Sequence, residues 1–453
     1  MNFSDAEHAF SQQNYLKASE ICAQLLRADP DNRDAIYLIA YIAYKKKDYG
    51  RTISLSEYGL KINKHDPRFY SLIGLAYKDQ GEFLAAFQIL QDGLRIIPHD
   101  FLLYNNLGTI LQILGSPQAA EQAFQLSLHY RADYPEARYN LGTVHLLLGK
   151  YKEGWRNYEA RFNIYGEFDH VIPRWDGQPL QSDQTLLIYT EQGLGDTLHF
   201  IRYLPLVMAR TAHIILKVQD VIYPFLMTQN FAKRIQKIYK NSEANPSFDA
   251  HCSLLSLPHL FETTLATIPA QMPYFQALPT LQKKWQHFLT QVIPSNKPFK
   301  IGLVWTGSIE HEANARRSCP LELFQPLVYD FPTVQFVSLQ KGAGSEQLEK
   351  VSFQNNILNI ESQLTDFNET AALITQLDLV ISVDTSIVHL AGGLAKPVWM
   401  LNRYDSDFRW MCEQTDSPWY PTLRIFRPES WGDWQSVLKQ AHAALTDLLA
   451  ARL

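Results

Sequence analysis

The sequence predicts an α-helical repeat array followed by an α/β module of two Rossmann-like halves. Three observations carry this reading. Small residues recur every 34 positions through the first third, the recurrence stops near residue 163, and short apolar strand candidates then alternate with helical segments.

In the repeat region, Ala40, Gly74, Gly108 and Gly142 are spaced by 34 residues, and Ala6 fits the same frame. A second series, Ala18, Thr52, Ala86, Ala120 and Gly154, keeps the interval. Small residues at two fixed points suit paired antiparallel helices whose backbones approach closely where they cross. A 34-residue helix–turn–helix period is the tetratricopeptide (TPR) signature, clearest in "FYSLIGLAYKDQGEFLAAFQILQDGLRIIP". Four to five units are expected over residues 1–163, the one beginning near Arg33 being a poor match and the first lacking the large residues. Such arrays stack into a superhelix whose groove commonly takes peptides or partner proteins. The alternative is an array that only packs against its own chain.

Residues 164–183 read as a linker, 184–295 as an N-terminal Rossmann-like half and 296–453 as a C-terminal half, divided at "QVIPSNKPF". Strands are expected at 185–189, 213–218, 300–305, 335–339, 378–382 and 398–402, with a helix at 368–377. Several are apolar on both faces, as in parallel strands covered by helices. Ligands in such sheets sit outside the carboxyl ends of the strands, so the loops there are the ones to search.

Composition narrows the class. The chain has 453 residues, too many for one compact core, and its 46% apolar and 19% charged residues describe an ordinary folded protein. A net charge of −5 gives no global pull toward nucleic acid or anionic membrane. Four scattered cysteines form no zinc or redox motif and suit a reducing compartment. No apolar stretch is long enough to span a bilayer, and "MNFSDAEHAF" has no leader-like pattern, so a cytoplasmic location is expected.

Four loops follow predicted strands. "TEQGLGDTLHFIRYLP" presents Glu191, Gly193, Gly195, Asp196 and His199. Asp196 reads either as a helix N-cap or as a general base, with the glycines allowing close approach of substrate. "WTGSIEHEANARRSCPL" offers Arg316 and Arg317, whose guanidinium donors suit a diphosphate, or else a solvated loop. "SLQKGAG" places Lys341 past a strand end, where a lysine neutralises phosphate as a point charge. In "ISVDTSIVHLAGGLAKPVWML" a strand ends at Asp384, Thr385 and Ser386 open a helix, and His389 follows one turn later; free N–H groups at that start attract anions. The aromatic tail with Trp410, Trp419, Tyr420, Trp431 and Trp434 fits either nucleobase stacking or packing.

These residues carry a resemblance. "GLGDTLHFIRYLP" and "DTSIVHLAGGLAKPV" are similar to two elements of bacterial ADP-heptose:lipopolysaccharide heptosyltransferases. Their combination with TPR repeats resembles bacterial TPR-containing glycosyltransferases and, more distantly, the TPR-linked O-GlcNAc transferases. The resemblance implies a GT-B module and sugar transfer from a nucleotide-diphosphate sugar, inverting and with no metal or other cofactor. Asp196 would be the base, with His199 beside it. Lys341, Asp384, Thr385, Ser386, His389 and Arg317 would surround the donor diphosphate, and Glu191, Gly193 and Gly195 would line the acceptor side.

Two departures matter: Ser386 stands where the family has glycine, and three extra residues separate His199 from Pro205. With the TPR array they shift the expected acceptor from lipopolysaccharide to protein. Two alternatives stay open, a non-catalytic TPR scaffold that binds a nucleotide sugar and a heptosyltransferase-like enzyme acting on a glycan. "DSD" at 405–407 also matches the metal-holding DxD pattern of other glycosyltransferases, in a different fold context.

Overall fold

The computed structural model describes residues 2–169, 171–310 and 313–452. The chain forms two compact units, Met1–Leu148 with Arg156–Gly166, and Gly149–Trp155 with Glu167–Leu453.

Among the described residues, ten helices run as five consecutive pairs, from Phe3–Ser11 and Tyr15–Ala28 to Pro135–Leu147 and Tyr151–Tyr158. The period that sets their spacing also sets their ends. Asn32, Asp66 and Asp100, 34 residues apart, each accept a backbone N–H of the first turn they precede. Tyr134, the next in the series, has no oxygen within reach of that turn. There Pro135 occupies the first helical turn, where its missing N–H is no loss. The small residues do what their spacing predicts. A Cβ on Gly108 would lie 2.6 Å from the Phe124 ring, and one on Gly74 would lie 3.0 Å from Leu90, each on the second helix of its own pair.

A further periodic feature is conformational. Residues 13, 47, 81, 115 and 149 turn the chain within each pair, and all are left-handed, with φ of 58°, 60°, 83°, 73° and 76°. Three are glycine, which adopts this conformation freely, but Gln13 and Lys47 hold it at a cost of about 1–2 kcal/mol. The pair beginning at Arg33, a poor match to the repeat pattern, therefore forms although its turn lacks the favourable residue.

The second unit contains two parallel sheets. Strands β1 (Thr185–Tyr189), β2 (His213–Val218), β3 (Lys237–Lys240) and β4 (Ala250–Ser253) form the first, in the order β3-β2-β1-β4. Strands β5 (Phe299–Val304), β6 (Val334–Ser338), β7 (Ile357–Asn359), β8 (Leu379–Val383), β9 (Val398–Leu401) and β10 (Leu423–Phe426) form the second, in the order β10-β9-β8-β5-β6-β7. Two Rossmann-like sheets in sequence define the GT-B architecture. The central strands β1, β5 and β8 are buried almost throughout, as helices on both faces require. Strand order reverses between β1 and β4 and again between β5 and β8. The loops after those strands are thus the topological switch points where ligands bind.

The six strands expected from sequence are present, shifted by at most one residue at each end, and the expected helix is Phe367–Thr375. Strands β3, β4, β7 and β10 were not foreseen. They are three or four residues long, and all four stand at the ends of the two strand orders. The stretch 164–183 also holds structure. Arg174 bridges to His251 in parallel register, Trp175 donates to the His251 carbonyl at 2.8 Å, and His251 donates to the Pro173 carbonyl at 3.2 Å. It extends the first sheet past β4.

The turn geometry makes a contrast testable. Lys47→Gly should raise the stability of the array by about 1 kcal/mol, and Gly81→Ala should lower it by a similar amount. Urea denaturation followed by circular dichroism reads both, and shifts of the same sign would refute the account.

Candidate active site

The loop after β1 closes on itself before it reaches outward. Gly193 is the N-cap of the helix Leu194–Phe200, and its N–H donates to Asp196 Oδ2 at 2.8 Å. Asp196 is therefore not the N-cap that its residue type suggested. It sits in the first turn and reaches back, as the third residue of a capping box does. That leaves Oδ1 pointing away from its own loop. Glu191 accepts from Ser253 at the end of β4, joining the two loops of the first switch point. Gln192 holds a left-handed φ of 59° between them.

Oδ1 of Asp196 accepts from Arg409 Nη2, on the other half. Arg409 Nη1 donates to Asp407 Oδ1 at 2.8 Å, so one guanidinium bridges two carboxylates. The side chains of Arg409 and Asp196 are only 8% and 17% exposed. Arg409 also lies over the rings of Phe408 at 4.3 Å and Phe200 at 5.4 Å.

Around this bridge lie the other charges. Burial raises Asp196 above the usual carboxylate range, against the pull of Arg409 and the Gly193 N–H. Burial and the charge of Asp407 likewise raise Asp384, against Arg403 and Arg317. For Asp407, burial is outweighed by Arg409, its backbone N–H and Arg403, and the carboxyl is held low. Burial lowers Arg317, although Asp384, Asp407 and Asp196 favour its charge. The Arg317 guanidinium packs where a Cβ on Gly307 would lie, 2.5 Å from Nη2, and its Nε is buried without a hydrogen-bond partner.

The loop after β8 supplies Asp384, and Thr385 caps the helix Ser386–Gly393 by accepting from the Ile387 N–H at 3.3 Å. His389, on that helix, turns its Nε2–Cδ2 edge to Gly195, where a Cβ would meet Cδ2 at 3.0 Å. His199 and His389 stand 5.1 Å apart, and the Nδ1 atoms of both lie against the Tyr420 hydroxyl, at 2.9 and 2.8 Å. Burial and then nearby arginines push both imidazoles well below their usual range, so both are neutral at pH 7. Arg202 is spent on the His199 and Trp419 carbonyls and the Tyr274 hydroxyl.

The structure thus brings Asp196, His199, Gly195, Arg317, Asp384 and His389 together, with Thr385 and Ser386 at the adjoining helix start. Two residues go elsewhere. Lys341 is exposed and donates to the Leu364 and Thr365 carbonyls, outside the ion pairs around Asp196. Arg316 pairs with Asp405 at 2.7 Å, which removes it from the twin-arginine grip its neighbour suggested. Both acids of "DSD" are taken by arginines, Asp405 by Arg316 and by Arg403 at 3.7 Å, and Asp407 by Arg409. Trp410, Trp419 and Tyr420 are fully buried, so they pack rather than offer an open stacking face. A cavity of about 410 Å³ lies at the opposite, N-terminal ends of β5 and β8, beside Phe299 and Leu379.

Sequence reasoning missed Arg403 and Arg409, and it placed Asp407 in a metal motif and Tyr420 in an aromatic tail rather than in this network. The signal was present in "RYDSDFRW", a dense charged run directly after β9, at the carboxyl edge of the sheet.

Residues 334–431 match the model of glycosyltransferase family 9 (heptosyltransferase), which takes in Lys341, Asp384–His389 and Arg403–Tyr420. Protein FlbA of Caulobacter vibrioides is 28% identical over 346 residues, 70% of this chain and 56% of that protein. The UDP-N-acetylglucosamine–peptide N-acetylglucosaminyltransferase of Caenorhabditis elegans is 27% identical over 77 residues, 17% of this chain and 7% of that one. The chain thus spans about half of the first relative and a small part of the second. A family 9 glycosyltransferase structure from Veillonella parvula is similar at 10% identity and a TM-score of 0.48, over 61% of this chain and 100% of that one. The chain joins a TPR-like helical array to a GT-B-type α/β module of two Rossmann-like halves, and within that module residues 334–431 resemble the heptosyltransferase family.

Removing one partner of a buried ion pair strands the other charge. Arg409→Ala should therefore destabilise the α/β unit by about 3 kcal/mol, and adding Asp196→Asn should recover part of the loss. Chemical denaturation of the single and double variants measures the coupling, and independent, additive effects would contradict the pairing.

Proposed function

We propose that the protein is a glycosyltransferase that moves a sugar from a nucleotide-diphosphate donor to a hydroxyl of a protein held by the TPR array. The observation that carries this reading is the meeting of Asp196, from the first switch point, with Arg317, Asp384 and His389, from the second. A carboxylate stands among arginines and two further acids at the carboxyl ends of two parallel sheets, the region where such sheets bind ligands.

In the proposed reaction the acceptor oxygen attacks the anomeric carbon on the face opposite the diphosphate. One C–O bond forms, the bond to the phosphate oxygen breaks with its electron pair, and the acceptor proton passes to Asp196. The configuration inverts. Arg317, the Thr385–Ser386 helix start and His389 stabilise the charge that grows on the leaving diphosphate. Arg409 must leave Asp196 before that carboxylate can take a proton, and an arriving diphosphate offers the guanidinium a competing anion. Lys341 would join only by giving up the 364–365 carbonyls. No step calls for a metal ion.

The protein acceptor rests on the array and on the name of the Caenorhabditis relative, which transfers a sugar to peptide. A glycan-directed enzyme remains the second reading, favoured by the heptosyltransferase match over residues 334–431.

Purified full-length protein offered a panel of nucleotide sugars, with cell lysate as acceptor source, should release free nucleotide diphosphate and label protein. Asp196→Asn should lower turnover by about a hundredfold or more, the usual worth of a general base. Unchanged turnover in that variant would defeat the assignment of the base. Label confined to glycan would transfer the protein to the second reading, and loss of activity in EDTA would refute the metal-free scheme. Because burial raises Asp196 and the base must be ionised, activity should fall on acidification through a midpoint above the ordinary carboxylate range. A pH–rate profile for the same donor reads that midpoint.

A further inference from the structure

Tyr420 stands between two buried histidines, and proton counting limits what the three groups can do. Its hydroxyl has one proton, while His199 Nδ1 and His389 Nδ1 both lie within hydrogen-bond distance, at 2.9 and 2.8 Å. One imidazole must accept that proton and the other must donate its own N–H to the phenol oxygen. Two neutral histidines joined this way have opposite tautomers. Tyr274 does not disturb the count. Its own proton goes to the Leu198 carbonyl at 2.9 Å, and its oxygen stands 3.3 Å from Tyr420, farther than either imidazole, so the Tyr420 proton goes to an imidazole.

The surroundings decide which histidine accepts. His199 Nε2 is buried with no hydrogen-bond partner. If His199 accepted from Tyr420, that atom would carry an orphaned buried N–H, the rarest kind of unsatisfied group. If His199 donates instead, the atom is a bare lone pair in a site whose nearest charges, Arg202 and Arg409, are positive. His389 then accepts at Nδ1 and carries its proton on Nε2, the edge that faces Gly195. Its ring is held in that orientation by Trp410, stacked at 5.4 Å and 19°.

We propose that Tyr420 is a positioning residue that fixes His389 as the Nε2–H tautomer, presenting an N–H donor to an anion at the Gly195 loop, and fixes His199 as the reverse. The reading of the anion as a diphosphate rests on the proposed function; the tautomer pair does not. A lone pair at His389 Nε2 would repel phosphate oxygen, so the phenol sets the polarity of the site without touching the ligand.

The test is nuclear magnetic resonance of the full chain carrying nitrogen-15-labelled histidine. The two rings are assigned by the resonances lost in His199→Asn and His389→Asn. Wild-type protein should show His389 protonated on Nε2 and His199 on Nδ1. Equal tautomers, or the reverse pair, would overturn the inference from the wild-type spectrum alone, whatever the folding of any variant. Tyr420→Phe should convert His389 to a tautomer mixture and weaken inorganic pyrophosphate binding by about tenfold, the usual worth of one hydrogen bond to a charged group. Unchanged tautomers in that variant would remove Tyr420 from the role. Unchanged pyrophosphate affinity beside altered tautomers would overturn the donor role of His389. Correct tautomers without sugar transfer from any donor would uphold the pair and defeat the enzymatic reading instead.

Discussion

Arg409 reaches from the C-terminal half of the GT-B module to Asp196 of the N-terminal half while its second terminal nitrogen holds Asp407. Much of the site's arrangement depends on this bridge. A guanidinium and two carboxylates withdrawn from water are expensive to bury, and their attraction offsets the cost only when geometry and hydrogen bonding are good. The protein meets that condition by fixing each partner separately. Gly193 holds Asp196 from its own loop, and the Arg409 backbone N–H holds Asp407 at 3.0 Å.

The surrounding aromatic residues supply the second condition, exclusion of water. Trp155 packs edge-on against Phe200 at 5.9 Å, Phe408 at 5.7 Å and Trp419 at 6.4 Å. Phe200 follows His199 in the chain and Phe408 precedes Arg409, so one indole braces the backbone of both charged partners' elements. Electrostatic interactions strengthen as water leaves, which gives the buried charges more influence over one another than surface groups have. The same burial keeps His199 and His389 neutral and Tyr420 protonated.

The repeat array was legible because its signal is redundant: small residues, caps and turns all repeat at the same interval. A weak copy such as the one from Arg33 is carried by its neighbours' register. Central strands were legible because burial on both faces leaves continuous apolar runs, whereas β3 and β7 at the edges carry no such pressure. Asp196, Asp384 and His389 could be picked out since each follows an apolar strand in a glycine- or hydroxyl-bearing loop. Arg409 and Tyr420 could not, because their importance arises from partners 213 and 221 residues away in the chain. Lys341 shows the converse. Its position after β6 is what the local pattern promises, but a flexible side chain goes where carbonyls are available, and here these belong to residues 364 and 365.

Charge balance connects these observations to the proposed chemistry. Asp196, Asp384 and Asp407 face Arg317, Arg403 and Arg409, so the cluster is near neutrality before any donor arrives. A diphosphate entering it brings surplus negative charge into a site of low dielectric, and some group must respond. The three carboxyls are not equally able to do so. Asp407 is held low by Arg409 and Arg403, whereas burial and Asp407 itself already push Asp384 upward. Burial raises Asp196 as well, so on the proposed reading the carboxyl most affected is Asp196, which loses its ion-pair partner as Arg409 turns toward the new charge. Donor binding then frees the base, so Asp196 is open to the acceptor proton only when there is a leaving group to displace.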